Sequence, residues 1–366
     1  MDNLTHSLFA ITLGRTALGR AGRGTTAALV VASNAPDVDL IAIAGGRAAY
    51  LHWHRGLTHG PFGVVGLGLA SAGGVWLVER ILARWRTKEP AAPFAPFGML
   101  AAAAIIGALF HVLMDLPTPY GTRLLSPFDW RWFSFDWMPI VDVYLLAALV
   151  VGVIFGWTAP ASKARVAGIV LALMAADYGV RAVSHHQALV TAPRMFGPHL
   201  PAPCGAAPTT LLEIWPRSDA PAPSQAGRPC LVEIAAMPGF TSPFRWRVIA
   251  RMTNAYELHE LDLLDERLRA PEGTELFWRR AIRFPDAWSP IVVEAARTRT
   301  AQVFLGFSRF PAARSFVDAA GNATVRWRDI RFAGGILPES ARQTDPFSVL
   351  VRLAPDGRVV EEAMGR

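Results

Sequence analysis

Imidazole and carboxylate side chains gather in five short stretches: "LTHSL" with His6, "NAPDVDL" with Asp37 and Asp39, "HWHRGLTHG" with His52, His54 and His59, "HVLMD" with His111 and Asp115, and "FDWMPIVD" with Asp136 and Asp142. His111 and Asp115 stand four residues apart, so on a helix both lie on one face and can bind a single ion. The carboxylates of "PDVD" flank a tight turn, where one can bridge or bind metal and the other orient a ligand. Each stretch alone has a plainer reading. A histidine at a helix end is usually an interfacial hydrogen-bonding group, "PDVD" a solvated turn or cap, and Asp142 a charge favoured by a helix N-terminus. Together, in segments otherwise apolar and free of cysteine, they match nitrogen and oxygen ligation of zinc, manganese or iron. The candidate ligands are His6, Asp37, Asp39, His54, His59, His111, Asp115 and Asp136, enough for one to three ions or for one ion with orienting partners. Within "HWHRGLTHG", His59 is the favoured ligand, His54 a ligand or orienting partner, and His52 an interfacial residue beside Trp53. His185 and His186 read as the interfacial exit of the last apolar run, and His199 and His259 as non-ligands.

The elements that must position these groups are membrane helices. The chain is 52% hydrophobic and only 18% charged, unusual for a wholly soluble protein. Apolar runs at about 60–80, 97–116, 138–157 and 166–183 are long enough to cross a bilayer. Two shorter pieces, 7–14 and 25–46, read as half-spanning segments packed against protein. Arg15, Arg20 and Arg23 follow the first piece, Arg80, Arg84, Arg86 and Lys88 follow the first long run, and Lys163 and Arg165 separate the last two. The positive-inside rule makes these turns cytoplasmic, which puts the histidine and aspartate stretches on the outer face.

The formal charge of +7 is dispersed rather than gathered in a tract, so no nucleic acid is expected as partner. "MDNLTHSLFAITLGR" lacks a basic leader and a small-residue cleavage site, and reads as retained in the mature chain. Cys204 and Cys230 form one bridge if they face an oxidising compartment, or remain two thiols. The organisation read from these patterns is a helical membrane domain over 1–185, a proline-rich linker or irregular segment over 186–230, and a small β-rich extracytoplasmic domain over 231–366. Alternating runs "FRWRVIARM", "AQVFLGFSRF" and "TVRWRDIRFA" mark strands, and "SVLVRLAPDGRVVEE" a hairpin.

"MDNLTHSL", "APDVD", "HRGLTHG", "HVLMDLPTPYGTRLLSPF" and "FDWMPIVD", in that order, resemble the bacterial membrane-bound metal-dependent hydrolases of the YdjM type over the first 185 residues or so. That family is distantly similar to zinc-dependent phospholipase C and the zinc single-strand nucleases, through the helix carrying the His111 and Asp115 pair. The chain departs from those soluble enzymes after Asp115, where "LPTPYG" stands in place of further histidines. The resemblance implies a divalent metal, zinc first and manganese or iron next, and a hydrolytic reaction.

A metal held by these ligands supplies hydroxide from bound water, a nucleophile suited to a phosphate ester. Asp39 and Asp142 are the candidate general bases, and Arg55, with Arg123 and Arg131, the candidate phosphate clamp. Trp53, Trp130, Trp132 and Trp137 read as an interfacial belt at headgroup level, which favours a lipid or lipid-linked substrate among membrane lipids. The competing expectation is a non-enzymatic membrane protein with a structural metal site and a partner-binding C-terminal domain.

Overall fold

The structure is a computed structural model that describes residues 1–85, 93–196, 200–205, 211–216, 229–269, 281–333 and 345–365. Arg86, Lys88, His199 and most of the 221–229 segment lie outside these residues. In chain order the helices are α1 (Asn3–Leu13), α2 (Thr25–Ala32), α3 (Arg47–Trp53), α4 (Pro61–Trp85), α5 (Phe97–Asp115), α6 (Val143–Thr158), α7 (Lys163–Phe196), α8 (Pro290–Ala295) and α9 (Arg299–Phe307). The strands are β1 (Trp132–Ser134), β2 (Glu213–Trp215), β3 (Leu231–Pro238), β4 (Arg245–Met252), β5 (Ala255–Asp262), β6 (Ile282–Pro285), β7 (Pro311–Val317), β8 (Ala323–Asp329), β9 (Ser348–Leu353) and β10 (Val359–Met364). The chain divides into two compact units, Met1–Ile41 with Trp53–Ala182, and Ala42–His52 with Val183–Arg366.

The first unit is helical. Among the described residues four segments are long and apolar enough to cross a membrane: Thr25–Gly45, read from the sequence as half-spanning, Pro61–Trp85, Phe97–Asp115 and Pro160–Phe196. α6 is shorter than the 138–157 run suggests, because Asp142 starts the helix by accepting the amides of Tyr144 and Leu145, which leaves "MPIV" in the preceding loop. α5 is the hub. Its small residues Ala101, Ala104, Gly107 and Ala108 are buried, and they let α2 and α4 approach closely. A Cβ at Gly107 would lie 2.9 Å from the Leu29 carbonyl oxygen, so only glycine allows α2 to lie so near. Phe9, Leu29, Met114, Met138, Leu145 and Leu149 close a second apolar cluster around α1 and α6.

Inside this apolar unit Arg181 of α7 is fully buried and pairs with Asp142, with Asp177 3.7 Å away. An ion pair at such depth is stable only while both partners are present. It ties α7 to the start of α6.

The second unit is β-rich. β3–β6 form an antiparallel sheet in the order β3-β4-β5-β6, and β7–β10 another in the order β10-β9-β8-β7. The hairpin expected at 348–362 is present, with β9 paired to β10 and Gly357 at φ +81° in the turn. Two expectations are corrected. Residues 186–196, read as the start of an irregular segment, continue α7, because Ala188, Ala192, Met195 and Phe196 pack on Trp246, Val248 and Ala250. His185 packs on the Trp246 ring at 5.4 Å. "AQVFLGFSRF", read as a strand, is largely α9, since Ala301, Phe304 and Phe307 are buried at three-residue spacing. Cys204 and Cys230 form a disulfide.

Two outcomes test this packing. Asp142→Ala should destabilise the purified protein by roughly 3–5 kcal/mol, since it removes the fully buried carboxylate that pairs with Arg181; a loss under about 1 kcal/mol in thermal unfolding would contradict the arrangement. In the second unit, burial pushes the Asp286 carboxyl up to about 6, against hydrogen bonds from the Ala313 amide and Trp288. The folded unit therefore holds this proton more tightly than the unfolded chain does. Its contribution is full below about pH 4 and is lost as the pH rises through about 6. Asp286→Asn should flatten that slope in denaturant titrations between pH 4 and 7, and an unchanged slope would refute it.

Candidate metal centre

Asp37, His59, His111 and Asp115 each bring one ligand atom to a common point, all within 4.8 Å of one another. They converge because the C-terminal end of α5 meets the loop entering α4 and the turn after α2. The Nε2 atoms of His59 and His111 face each other at 3.2 Å. Both lie 3.5 Å from Asp115 Oδ2, and Asp37 Oδ1 stands 3.8 Å from His59 Nε2 and 3.5 Å from His111 Nε2. Around a tetrahedral ion with bonds of about 2.0–2.1 Å, neighbouring ligand atoms stand ~3.3 Å apart. The four side chains could thus hold a metal ion with little adjustment.

The outer faces of both rings fix which nitrogen points inward. His111 Nδ1 lies 2.8 Å from the Ser33 carbonyl, an acceptor only, so Nδ1 carries the proton and Nε2 presents a lone pair. The Thr58 hydroxyl donates to Asp39 Oδ2 at 2.8 Å, which leaves its oxygen to accept from His59 Nδ1 at 2.9 Å. Two imidazole lone pairs and two carboxylates therefore share one point with no proton between the rings. Such a set of acceptors could hold a metal cation. Burial pushes the His54 and His59 imidazoles below their ordinary pKa, the former against the pull of Asp39. Both are neutral at neutral pH, the form that ligates metal.

Asp39 does not join the four; it organises the loop that carries His59. Its Oδ1 bonds His54 Nδ1 at 2.9 Å, and its Oδ2 accepts the Arg55 amide at 2.7 Å. Arg55 adopts a left-handed backbone (φ 51°), which aims its amide at Asp39 while its side chain runs the other way. There its guanidinium lies 3.0 Å from Asp115 Oδ2 and also donates to Thr118 Oγ1 and the Gly121 carbonyl, over the Tyr120 ring at 4.9 Å. Arg55 thus holds a ligand in place rather than standing open as a phosphate clamp.

His6 is fully buried, stacked on His111 with ring centroids 4.0 Å apart. Its Nε2 is 3.5 Å from Asp115 Oδ1. The Met1 amino group lies against the same Asp115 oxygen. Asp136 is buried but bonded to Ser134 Oγ at 2.6 Å, and it is not among the four that share the ligand point. Asp142 is engaged in capping α6 and pairing with Arg181. Arg123 is buried between Trp130 and Trp132, 4.6 and 4.4 Å from their ring centroids, so those tryptophans sandwich a cation. Exposed Arg131 pairs with its neighbour Asp129. Ser33 and Thr58 are supporting residues that residue type alone does not single out. Thr58 adjoins His59 inside "HWHRGLTHG", so its position carries a signal, whereas nothing in the sequence marks a carbonyl such as that of Ser33.

This geometry orders the effects of substitution. His59→Ala and His111→Ala should each remove nearly all metal from the purified protein. Asp39→Asn, which leaves the four ligands present but disturbs the loop that carries His59, should weaken binding roughly 10–100-fold. Chelator competition with elemental analysis measures both, and equal affinity in all variants would contradict the assignment.

The comparisons with known proteins agree with a membrane identity. Residues 1–188, just over half of the chain, match the family described as YdjM inner membrane protein. The uncharacterized protein YfhP of Bacillus subtilis (strain 168) is 26% identical over 155 residues, 40% of this chain and 43% of that protein. The chain therefore spans less than half the length of that curated relative. No solved structure matches. With four candidate spans and a family match that contains the whole ligand cluster, the chain is a multi-pass inner membrane protein and belongs to the YdjM inner membrane protein family.

Proposed function

We propose that the protein is a metal-dependent hydrolase at the outer face of the bacterial inner membrane, cleaving a phosphoester of a lipid or lipid-linked substrate. The observation that carries this reading is the pair of inward imidazole lone pairs flanked by Asp37 and Asp115. Two imidazoles and two carboxylates without a thiolate suit zinc, and manganese or iron next. A divalent ion bound there supplies an acidified water as nucleophile at neutral pH.

The chain's own residues prepare the site for that chemistry. The Asp37 side chain is 18% exposed while those of the other three are at most 1% exposed, so water and substrate enter on its side. Asp39, through Thr58 and the Arg55 amide, keeps His59 oriented. Arg55 fixes Asp115, and the Arg123 amide, bonded to the Arg55 carbonyl, ties this loop to the segment after α5. α5 is a candidate span that ends at Asp115, and the end of a span is where phospholipid headgroups lie, which supports a lipid phosphoester over a freely soluble one.

Two features support the outer-face placement. Arg15, Arg23, Arg80, Arg84 and Lys163 sit at the helix ends remote from the cluster, as cytoplasmic turns require. The Cys204–Cys230 disulfide belongs to an oxidising compartment, which suits an extracytoplasmic C-terminal unit.

A second reading has its own observation. Four protein ligands are the mark of a closed, structural zinc site, which would leave a non-enzymatic protein whose C-terminal unit binds a partner. One experiment separates the two. Metal-replete wild type should hydrolyse a chromogenic phosphodiester or a phospholipid, lose activity with chelator and regain it with zinc or manganese, while Asp115→Ala stays inactive. Stoichiometric metal without turnover on any phosphoester would favour the structural reading.

A further inference from the structure

At the ends of α1, α2 and α5 remote from the metal cluster lies a cavity of about 880 Å³. Its wall is the glycine-rich turn from Gly14 to Gly24, Pro93 ahead of α5, and the segment from Pro160 to Ala164 that opens α7. Four cationic residues line it, Arg15, Arg20, Arg23 and Lys163, and no acidic side chain does among the described residues. The rest of the lining is glycine, alanine, proline and two threonines, so little competes for the space.

Two of the cations are fixed in advance. Arg15 donates to the Gly152 carbonyl at 3.0 Å, and a Cβ at Gly156 would lie 2.2 Å from its guanidinium, so α6 is shaped to admit it. Arg23 lies 3.2 Å from Glu79, and its Nε is buried without a hydrogen bond. The other two, Arg20 and Lys163, are exposed and have no ion pair or side-chain hydrogen bond among the described residues. The N-termini of α2 and α7 open on the same space and add their positive dipole ends. Two pre-set cations, two uncommitted ones and two helix N-termini around one volume form a receptor for multiply charged oxyanions.

We infer that this cavity binds a phosphate group, either the headgroup of an anionic phospholipid or a small soluble phosphate. Arg15 and Arg23 form its floor, and Arg20 and Lys163 close over the bound oxyanion. The site is separate from the metal cluster and does not depend on the hydrolytic reading.

The test uses the full chain, delipidated in neutral detergent, titrated calorimetrically with short-chain phosphatidylglycerol and, separately, with inorganic phosphate. Arg20→Ala/Lys163→Ala removes cations that anchor nothing else, and Arg84→Ala/Arg165→Ala is a control with two exposed cations outside the cavity. Saturable binding that weakens about tenfold or more in the first double variant, and stays within about twofold in the second, is the expected result. Saturation by phosphatidylglycerol without competition from phosphate assigns a lipid headgroup, and competition by phosphate assigns a soluble ligand. Absence of saturable binding by either probe, or equal weakening in both double variants, overturns the proposal. Binding lost in His59→Ala but kept in Arg20→Ala/Lys163→Ala overturns it as well.

Discussion

Everything at this centre follows from two imidazoles whose unprotonated Nε2 atoms face each other at 3.2 Å beside two carboxylates. Four acceptors gathered among apolar helices repel one another, and in a low dielectric that repulsion is large. Arg55 and the Met1 amino group offset part of that charge at Asp115, and a metal ion at the shared point would offset the rest. The surroundings are built to keep the acceptors there. Ser33 and Thr58 hold the outer nitrogens, Asp39 holds the loop, and Arg55 offsets part of the charge on Asp115.

The helices around it meet a second constraint, which is to bring charged groups together at membrane depth without leaving any of them alone. Small residues on α5 let α2 and α4 come close enough for Asp37, His59 and His111 to meet. Asp142 and Arg181 satisfy one another in the same unit, and Asp142 also caps α6. The polar groups therefore fall into two sets, one converging on a cation point and the other internally neutralised. Only the first has the character of a functional site.

Much of this was legible in the sequence. The long apolar runs marked α5 nearly to the residue and the start of α4, whose end lies five residues beyond the run, and the spacing of His111 and Asp115 marked a pair that a single helix presents to a common ion. The basic turns and the histidine stretches stand at opposite ends of the same helices, as their alternation along the chain implied. What the sequence could not show was division of labour among similar residues. Asp37 and Asp39 stand two apart in one turn, yet one faces the ligand point and the other turns towards His54 and the Arg55 amide. Arg55 looked like a free clamp because its left-handed backbone and its reach to Asp115 are tertiary facts. The helical continuation of α7 was missed because Pro193 and the prolines after it suggest an irregular segment, and α9 because apolar alternation over a short run does not distinguish the two periods.

Whether His59, His111, Asp37 and Asp115 ligate one ion is answered most directly by X-ray absorption at the metal edge of the purified, membrane-extracted protein. The expected spectrum shows a stoichiometric metal with nitrogen and oxygen neighbours at about 2.0–2.1 Å, outer-shell scattering from two imidazoles, and no sulfur. A protein that folds normally without metal, or a bound ion whose spectrum lacks imidazole scattering, would contradict this ligand set.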